Sequence, residues 1–409
     1  MTATTTSSLS KRLFALELII LVAALAISAA LILKGEGTVP SPPMDQHFVE
    51  TVDLQIQRVN GHWKFQYPNL QYAGGITSSL AAGLYKLIIP TTHANLNWHF
   101  RIFSMAGLLI SSFYLFRTAI PRNPGLRMAA LLVVATSGFQ LVQPSSDVIS
   151  GTFLNLFLIA ALRTWNKPLT ALFLTLFGLG KVELTLGAIA LSLLWFAWEQ
   201  HQGHAKPMQG MLLTWMWMGL LIVPALVLKG SNPFMESRST VAFLSAYSGF
   251  MRFHQFQAGV PSTGEAIKAT ETIVFAKAHS FPEIVLKYPR LYFDYVGVSA
   301  ARSIPNVLAV FKFMAIPGIY VAMQWRQLRY NQFLLFAALI AALCILLPSW
   351  LVIFVRMRYI AKVLPAITAA TIACSLELSA AHPRILRITW ISTFLTVSWQ
   401  ILALSPYQD

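Results

Sequence analysis

An all-α polytopic membrane protein with about eleven transmembrane helices is the fold class this sequence predicts. Three observations carry that reading. Of 409 residues, 56% are hydrophobic and 11% charged, against roughly 25% charged in soluble domains, so there is too little charge to coat a water-facing surface. Mean hydropathy is +0.61, and the apolar residues come in blocks close to the ~20 residues that cross a bilayer. The blocks do not alternate with a period of two, which excludes a barrel of ~10-residue strands.

The first block, Leu13–Leu33 (LFALELIILVAALAISAALIL), carries one acid, Glu17. It is too long for a signal-peptide core and a second apolar span follows, so it is expected to be retained as a helix. A polar stretch, Lys34 to Tyr72, comes next. The weaker apolar patch Gly75–Ile89 contains Lys86 and is short for a span, so it is expected to form an interfacial helix. Further spans are expected at Phe100–Phe116, Met128–Val142, Val148–Leu162, Leu169–Gly180, Leu184–Trp198 and Met211–Leu228. A long polar segment, Lys229 to Ser303, precedes four more: Ile304–Met323, Phe333–Val355, Ile360–Leu378 and Ile388–Leu404. The chain thus divides into an N-terminal transmembrane module (1–228) with a first outer loop at 34–99, a small extracytoplasmic subdomain (229–303), and C-terminal transmembrane helices (304–409).

Charge sets the expected orientation. Lys11 and Arg12, then Arg117, Arg122 and Arg127, Arg163 and Lys167, Lys206, Arg326 and Arg329, and Arg384 and Arg387 share one side if the N-terminus is cytoplasmic. That is the positive-inside pattern of an inner or plasma membrane protein. The net charge of +15 is therefore assigned to topology, and with no basic–aromatic groove motif it does not point to nucleic acid. Cys344 and Cys374 fall inside apolar spans and read as packing residues, without a disulfide scaffold or metal knuckle.

The exceptions to the charge rule are informative. Arg356, Arg358 and Lys362, in VRMRYIAKVLP, fall in an outer turn. Either they contact anionic headgroups or they hold a specific phosphate, for which the planar arginine fork is well suited. Acids concentrate outside as well: Asp45, Glu50 and Asp53 in the first outer loop, where PPMDQHF also brings His47, and Asp147 in PSSD before a span. Asp147 alone fits a helix N-cap. Lys181 and Glu183, in GKVE between two apolar spans, alone fit a paired charge in a tight turn. Together, carboxylates and cations on one side of the bilayer suggest a site for an anionic substrate at the membrane surface.

The order of these features resembles the membrane-embedded glycosyltransferases of the GT-C superfamily, in the branch of protein O-mannosyltransferases and lipid A aminoarabinose transferases. Asp45 in MDQHF matches the family's first-loop acid, while Gln46 stands where the family often has a second one. Tyr67, Pro68 and Leu70 match an aromatic–Pro–Leu stretch before an interfacial helix. Arg101 opens the second span, Asp147 supplies a later acid and Lys181 lies in a G-x-x-K-like turn. Arg358, Tyr359 and Pro365 match an Arg-Tyr-x-x-x-x-x-Pro pattern. The resemblance covers roughly Leu13 to Leu378 and rests on the order of the motifs.

It implies transfer of a sugar from a polyprenyl-phosphate donor to a lipid, glycan or protein acceptor on the outer face, with inversion. In that scheme Asp45 is the general base, and Asp147 positions the acceptor or a cation. Arg356, Arg358 and Lys181 neutralise the departing phosphate, with Arg101 as a further candidate. His47, Glu50, Tyr67, Glu183 and Tyr359 are supporting candidates. No cofactor is certain; Asp45 and Asp147 could jointly hold a divalent cation, whose hard character favours carboxylate oxygen. Two alternatives stay open. One is a lipid-linked sugar flippase or other transporter. The other is an O-antigen ligase or polymerase, which the Arg238, Arg252, His254 and Arg290 of the long segment resemble.

Overall fold

The structure is a computed structural model that describes residues 3–36, 55–59, 62–66, 76–77, 80–81, 93–137, 145–180, 182–229, 240, 243–248, 268, 270–276, 278, 280–352, 359–360 and 362–402. Each apolar block of the sequence contains a helix. In chain order these are α1 (Ala3–Glu36), α2 (His93–Ala119), α3 (Pro124–Ala135), α4 (Ser145–Leu162), α5 (Lys167–Gly178), α6 (Val182–His201) and α7 (Met208–Lys229). The short α8 (Phe281–Lys287) leads into α9 (Pro289–Phe311), followed by α10 (Ala315–Met323), α11 (Gln332–Val352), α12 (Leu364–Leu378) and α13 (Pro383–Leu402). Five stretches among the described residues are long and apolar enough to cross a membrane: Arg12–Ala30, Arg101–Ala119, Pro289–Met323, Gln332–Val352 and Pro383–Leu402. Shorter apolar helices such as Pro124–Ala135 and Leu364–Leu378 pack among them.

Local chemistry explains where several helices begin. Proline occupies the first turn of α3, α5, α8, α9 and α12, where its missing N–H costs no helical hydrogen bond. Asn123 caps α3, its side-chain oxygen accepting from the Leu126 N–H at 3.1 Å. Inside the bundle, hydroxyls bond back to carbonyls one turn earlier, as in Ser112 to Leu108 (2.6 Å), Ser375 to Thr371 (2.7 Å) and Thr389 to Ile385 (2.8 Å). In an apolar medium, such bonds keep polar groups satisfied within their own helix.

Two elements depart from the expectations. Within the polar stretch Lys34 to Tyr72 of a chain expected to be all-α, β1 (Gln55–Val59) and β2 (His62–Gln66) form an antiparallel hairpin with Val59 opposite His62. Helical backbone from the Gly75–Ile89 patch is described at 76–77 and 80–81. The expected Ile304–Met323 span is instead two helices. α9 starts at Pro289, continues across residue 303, and breaks at Lys312, whose φ is 46°. This backbone conformation is unusual for a residue with a β-carbon.

Helices successive in the chain from α1 to α7 run alternately up and down, so contacting helices are antiparallel or parallel pair by pair. Arg117 stacks over the Phe14 ring at 4.5 Å, so α1 starts where α2 ends. α2 and α4 run parallel, with Leu108 beside Gly151 and Ser111 beside Asn155. α6 and α11 run antiparallel, from Gly187 against Cys344 to Trp198 against Phe333. α3 and α13 run parallel, from Gly125 against Trp390 to the Thr136–Gln400 hydrogen bond of 2.8 Å. These registers gather the basic loop residues at one end of the bundle, called here the basic end.

Three acids stabilise that end. Glu17, 2% exposed within α1, accepts from Arg127 Nε at 2.7 Å and from a second guanidinium nitrogen. Arg127 also donates to the Ile120 and Pro121 carbonyls. Glu199 accepts from Lys167 at 2.7 Å. Glu377 receives the backbone N–H groups of Arg329, Tyr330 and Asn331 at the start of α11, placing a negative charge at the positive end of a helix. Glu17 and Glu199 tie their helices to the first turns of α3 and α5, and Glu377 ties α12 to the loop before α11.

Candidate functional site at the end opposite the basic loops

The first turn of α4, the turn after α5 and the 359–363 segment converge at the other end. α4 anchors the group. Gly151 faces Lys362 so closely that a β-carbon there would lie 3.0 Å from both the Cα and the carbonyl oxygen of Lys362, and 3.1 Å from Leu108 Cδ1. Glycine is required by this approach of two backbones. One residue earlier, Ser150 packs on the turn after α5: a β-carbon on Gly180 would lie 2.0 Å from Ser150 Oγ. The expected GLGKVE turn and the expected RYIAK segment therefore flank the same turn of α4.

The loop between α1 and α2 returns to this end too. Thr77 donates its backbone N–H to the Leu179 carbonyl at 3.3 Å and its hydroxyl to the Leu176 carbonyl at 2.6 Å. Those carbonyls belong to the C-terminal turn of α5, where helical acceptors are left open and a side chain can fill them. The loop is thus pinned beside the GLGKVE turn.

Each sequence candidate has a position relative to this framework. Asp147 is the third residue of α4, four before Gly151. Arg101 is half-buried on α2; the parallel register of α2 and α4 sets it level with the first turn of α4. Glu183 is the second residue of α6. Tyr359 is buried at 6% exposure, and its ring lies 5.4 Å from Lys362 Nζ. Asp45, His47, Glu50, Tyr67, Lys181, Arg356 and Arg358 lie outside the described residues.

The placement of Lys362 bears on one of the two alternatives for the cationic run, contact with headgroups. A lysine that snorkels to headgroups keeps its ammonium in the interface; Lys362 is 0% exposed and ranks among the largest fully buried side chains. Its cation faces the Tyr359 ring, a contact of the cation–π type. The tyrosine of the Arg-Tyr pattern thus packs inside the bundle and holds the lysine three residues on.

The sequence reading missed Ser150, Gly151, Gly180 and Thr77. Small residues in SGTF and GLG were the available signal, since close helix approach in membranes uses them. It also missed a polar clamp deeper in the bundle: Asn155 on α4 donates to Ser111 Oγ at 3.1 Å and to Ser112 Oγ at 3.2 Å on α2. That clamp fixes the rotation of α4 against α2, and with it the face that carries Asp147 and Gly151.

Among the described residues, no group of three or more His, Cys, Asp or Glu side chains could hold a metal. A shallow, largely apolar groove lined by Trp198, His201, Phe333 and Phe336 lies between α6 and α11. It opens at the basic end, the wrong end for the converged segments, and is not assigned to them. No protein-family model matches the chain, and no curated protein matches it.

Proposed function

We propose that the chain is an integral membrane glycosyltransferase that moves a sugar from a polyprenyl-phosphate donor to an acceptor at the outer face, with inversion. The observation that supports it most is the convergence just described. Segments singled out separately along the sequence, around Arg101, Asp147, the GLGKVE turn and RYIAK, share one end of the bundle, opposite the basic loops. By the positive-inside rule the basic end is cytoplasmic, along with the N-terminus, so the candidate site is extracytoplasmic.

The chemistry requires an acceptor hydroxyl made nucleophilic and a phosphate leaving group neutralised. Asp45 takes the acceptor proton, a role worth roughly 10²–10⁴-fold. Asp147, fixed by α4, positions the acceptor or a divalent cation. Arg356, Arg358, Lys181 and Arg101 answer the charge that builds on the phosphate as the glycosidic bond breaks. His47, Glu50, Tyr67, Glu183 and Tyr359 support the two carboxylates and the cations. The test is incubation of purified protein with a panel of polyprenyl-phosphate sugars and an acceptor extract. Release of free polyprenyl phosphate supports the reading; no release from any donor, by protein shown to be folded, refutes it.

One observation favours a second reading. The break at Lys312 interrupts a 35-residue apolar stretch, and interrupted helices with an ionisable residue are a feature of transporters. A lipid-linked sugar flippase would move labelled donor across a vesicle bilayer and leave its glycosyl–phosphate bond intact.

A further inference from the structure

We infer that α8 and the first half of α9 lie in the bilayer surface at the end opposite the basic loops, with Leu286 and Phe293 immersed among lipid. This holds whether or not the chain transfers sugar. The first observation is an exposed apolar stripe. Leu286 is 79% exposed, Phe293 67%, Ile304 57% and Leu308 53%. Their spacings of seven, eleven and four residues are those that keep side chains on one helical face. The other face of α9, through Tyr292, Tyr295 and Ser299, is buried.

Length and contacts then set the depth of the stripe. The apolar stretch Pro289–Met323 has 35 residues, about 52 Å if straight, against ~30 Å of hydrocarbon. Its first part is surplus to a crossing, and Pro305 inside α9 marks where the helix can bend. Before that proline, α9 lies across the end of α11. The Tyr292 hydroxyl donates to the Leu351 carbonyl at 3.3 Å, Tyr295 to Val352 at 3.3 Å and Ser299 to Trp350 at 2.9 Å. Trp350 Nε1 donates back to the Val296 carbonyl at 3.1 Å. Residues 292–299, about 10 Å of helix, thus meet a single turn of α11, whose last carbonyls are open acceptors. α11 has 21 residues, one bilayer crossing, so its end marks the membrane surface. An aromatic core of Phe243, Tyr247, Phe275 and Tyr295, with Val352 packed against it, backs the segment at that level.

Lipid is the occupant this face fits. Leu286 and Phe293 continue the stripe of Ile304 and Leu308, which belong to the part of α9 that enters the bilayer. Charged neighbours suit an interface more than a protein contact: Arg290 is exposed between the two, and Lys287 and Asp294 are exposed beside them. Arginine and lysine stems can lie along apolar surface while their heads reach the headgroups. Apolar side chains with such a border are the composition of a helix lying in a membrane interface.

The test is the depth of a nitroxide at Leu286→Cys or Phe293→Cys. Full-length protein carrying Cys344→Ala and Cys374→Ala is reconstituted into phosphatidylcholine liposomes. Power saturation is measured with oxygen, which concentrates in the bilayer, and with a water-soluble nickel chelate. Leu343→Cys on α11, where the leucine is 61% exposed, is the bilayer reference. Gln202→Cys, exposed just after α6, is the water reference. Both test labels are expected ~5–10 Å inside the headgroup–acyl boundary, with nickel access below that at position 202. Nickel access equal to that at 202 would place the segment in water and overturn the inference. A depth equal to that at 343 would make it a spanning segment, and labels reached by neither reagent would be covered by protein; each of these also overturns it. Both side chains are exposed, so cysteine fits at either, and if one variant does not accumulate the other carries the same comparison. Turnover has no part in this readout: a lipid-immersed label in an inactive protein refutes sugar transfer alone.

Discussion

Replacing Gly151 with alanine should destabilise the protein, although the same substitution at Gly219 should stabilise it. Both glycines are helical, in α4 and α7 respectively, and both gain about 0.5–1 kcal/mol of helix propensity when a β-carbon is added. Their surroundings differ. At Gly219 nothing lies within 4 Å of the new carbon, so the gain is kept. At Gly151 the new carbon meets two backbone atoms of Lys362 at 3.0 Å and Leu108 Cδ1 at 3.1 Å. Relieving the backbone contacts to 3.4 Å, the near edge of ordinary contact, requires the 359–363 segment to retreat by about 0.4 Å. Backbone retreats less readily than a flexible side chain, and overpacking of this kind costs roughly 1–3 kcal/mol. Net of propensity, Gly151→Ala should cost about 0.5–2 kcal/mol, and Gly151→Leu more. Thermal unfolding of the purified protein, followed by tryptophan fluorescence, gives the comparison directly. A Gly151→Ala midpoint at or above that of Gly219→Ala would show that α4 and the 359–363 segment are not in contact, and the candidate site would lose its frame.

Other expectations follow from the same geometry. Glu17→Ala should cost about 3–5 kcal/mol, because it strands the mostly buried Arg127 guanidinium; combining it with Arg127→Met should recover much of the loss, and a midpoint unmoved by Glu17→Ala would remove that anchor. Asn155→Leu should cost about 0.6–2 kcal/mol by deleting two interhelical hydrogen bonds, measured by the same unfolding; a stabilised variant would contradict the clamp. Asp45→Asn should abolish sugar transfer and leave folding and insertion intact, so retained turnover would take Asp45 out of the general-base role. Arg358→Ala should weaken donor binding more than acceptor binding, and unchanged donor affinity would count against a phosphate contact.

Much of the architecture is legible in the sequence because membrane burial writes itself as hydropathy. Blocks such as Phe333–Val355 and Leu169–Gly180 coincide with helices α11 and α5 within a few residues. The limits are physical. Hydropathy averages over a window, so α9 is invisible before residue 304: that part of it carries Arg290, Asp294 and Arg302. A periodicity argument would have found it, since Tyr292, Tyr295, Ser299 and Ser303 form one buried face. α12 begins at Leu364 and not at Ile360 because Pro365 suits the first turn of a helix. The β1–β2 hairpin carries Asn60 and Gly61 between its strands, a pair that favours a tight turn between strands.

The candidate site is legible only in pieces. Arg101, Asp147 and Tyr359 stand out as polar or aromatic punctuation at span edges, but a linear chain does not say which edges meet. That information lies in Gly151, Gly180 and Thr77, whose importance comes from what touches them. Burial likewise marks Lys362, which in sequence is only one cation of a run with Arg356 and Arg358.

The central claim is that the first outer loop and the late arginines face each other at one end of the bundle. A spin-label distance between positions 45 and 358 tests it most directly, in full-length protein with the two free cysteines, Cys344 and Cys374, replaced by serine or alanine. The account predicts a distance shorter than half of the ~30 Å hydrocarbon thickness. A distance comparable with the full thickness would put the two on opposite faces and contradict the account.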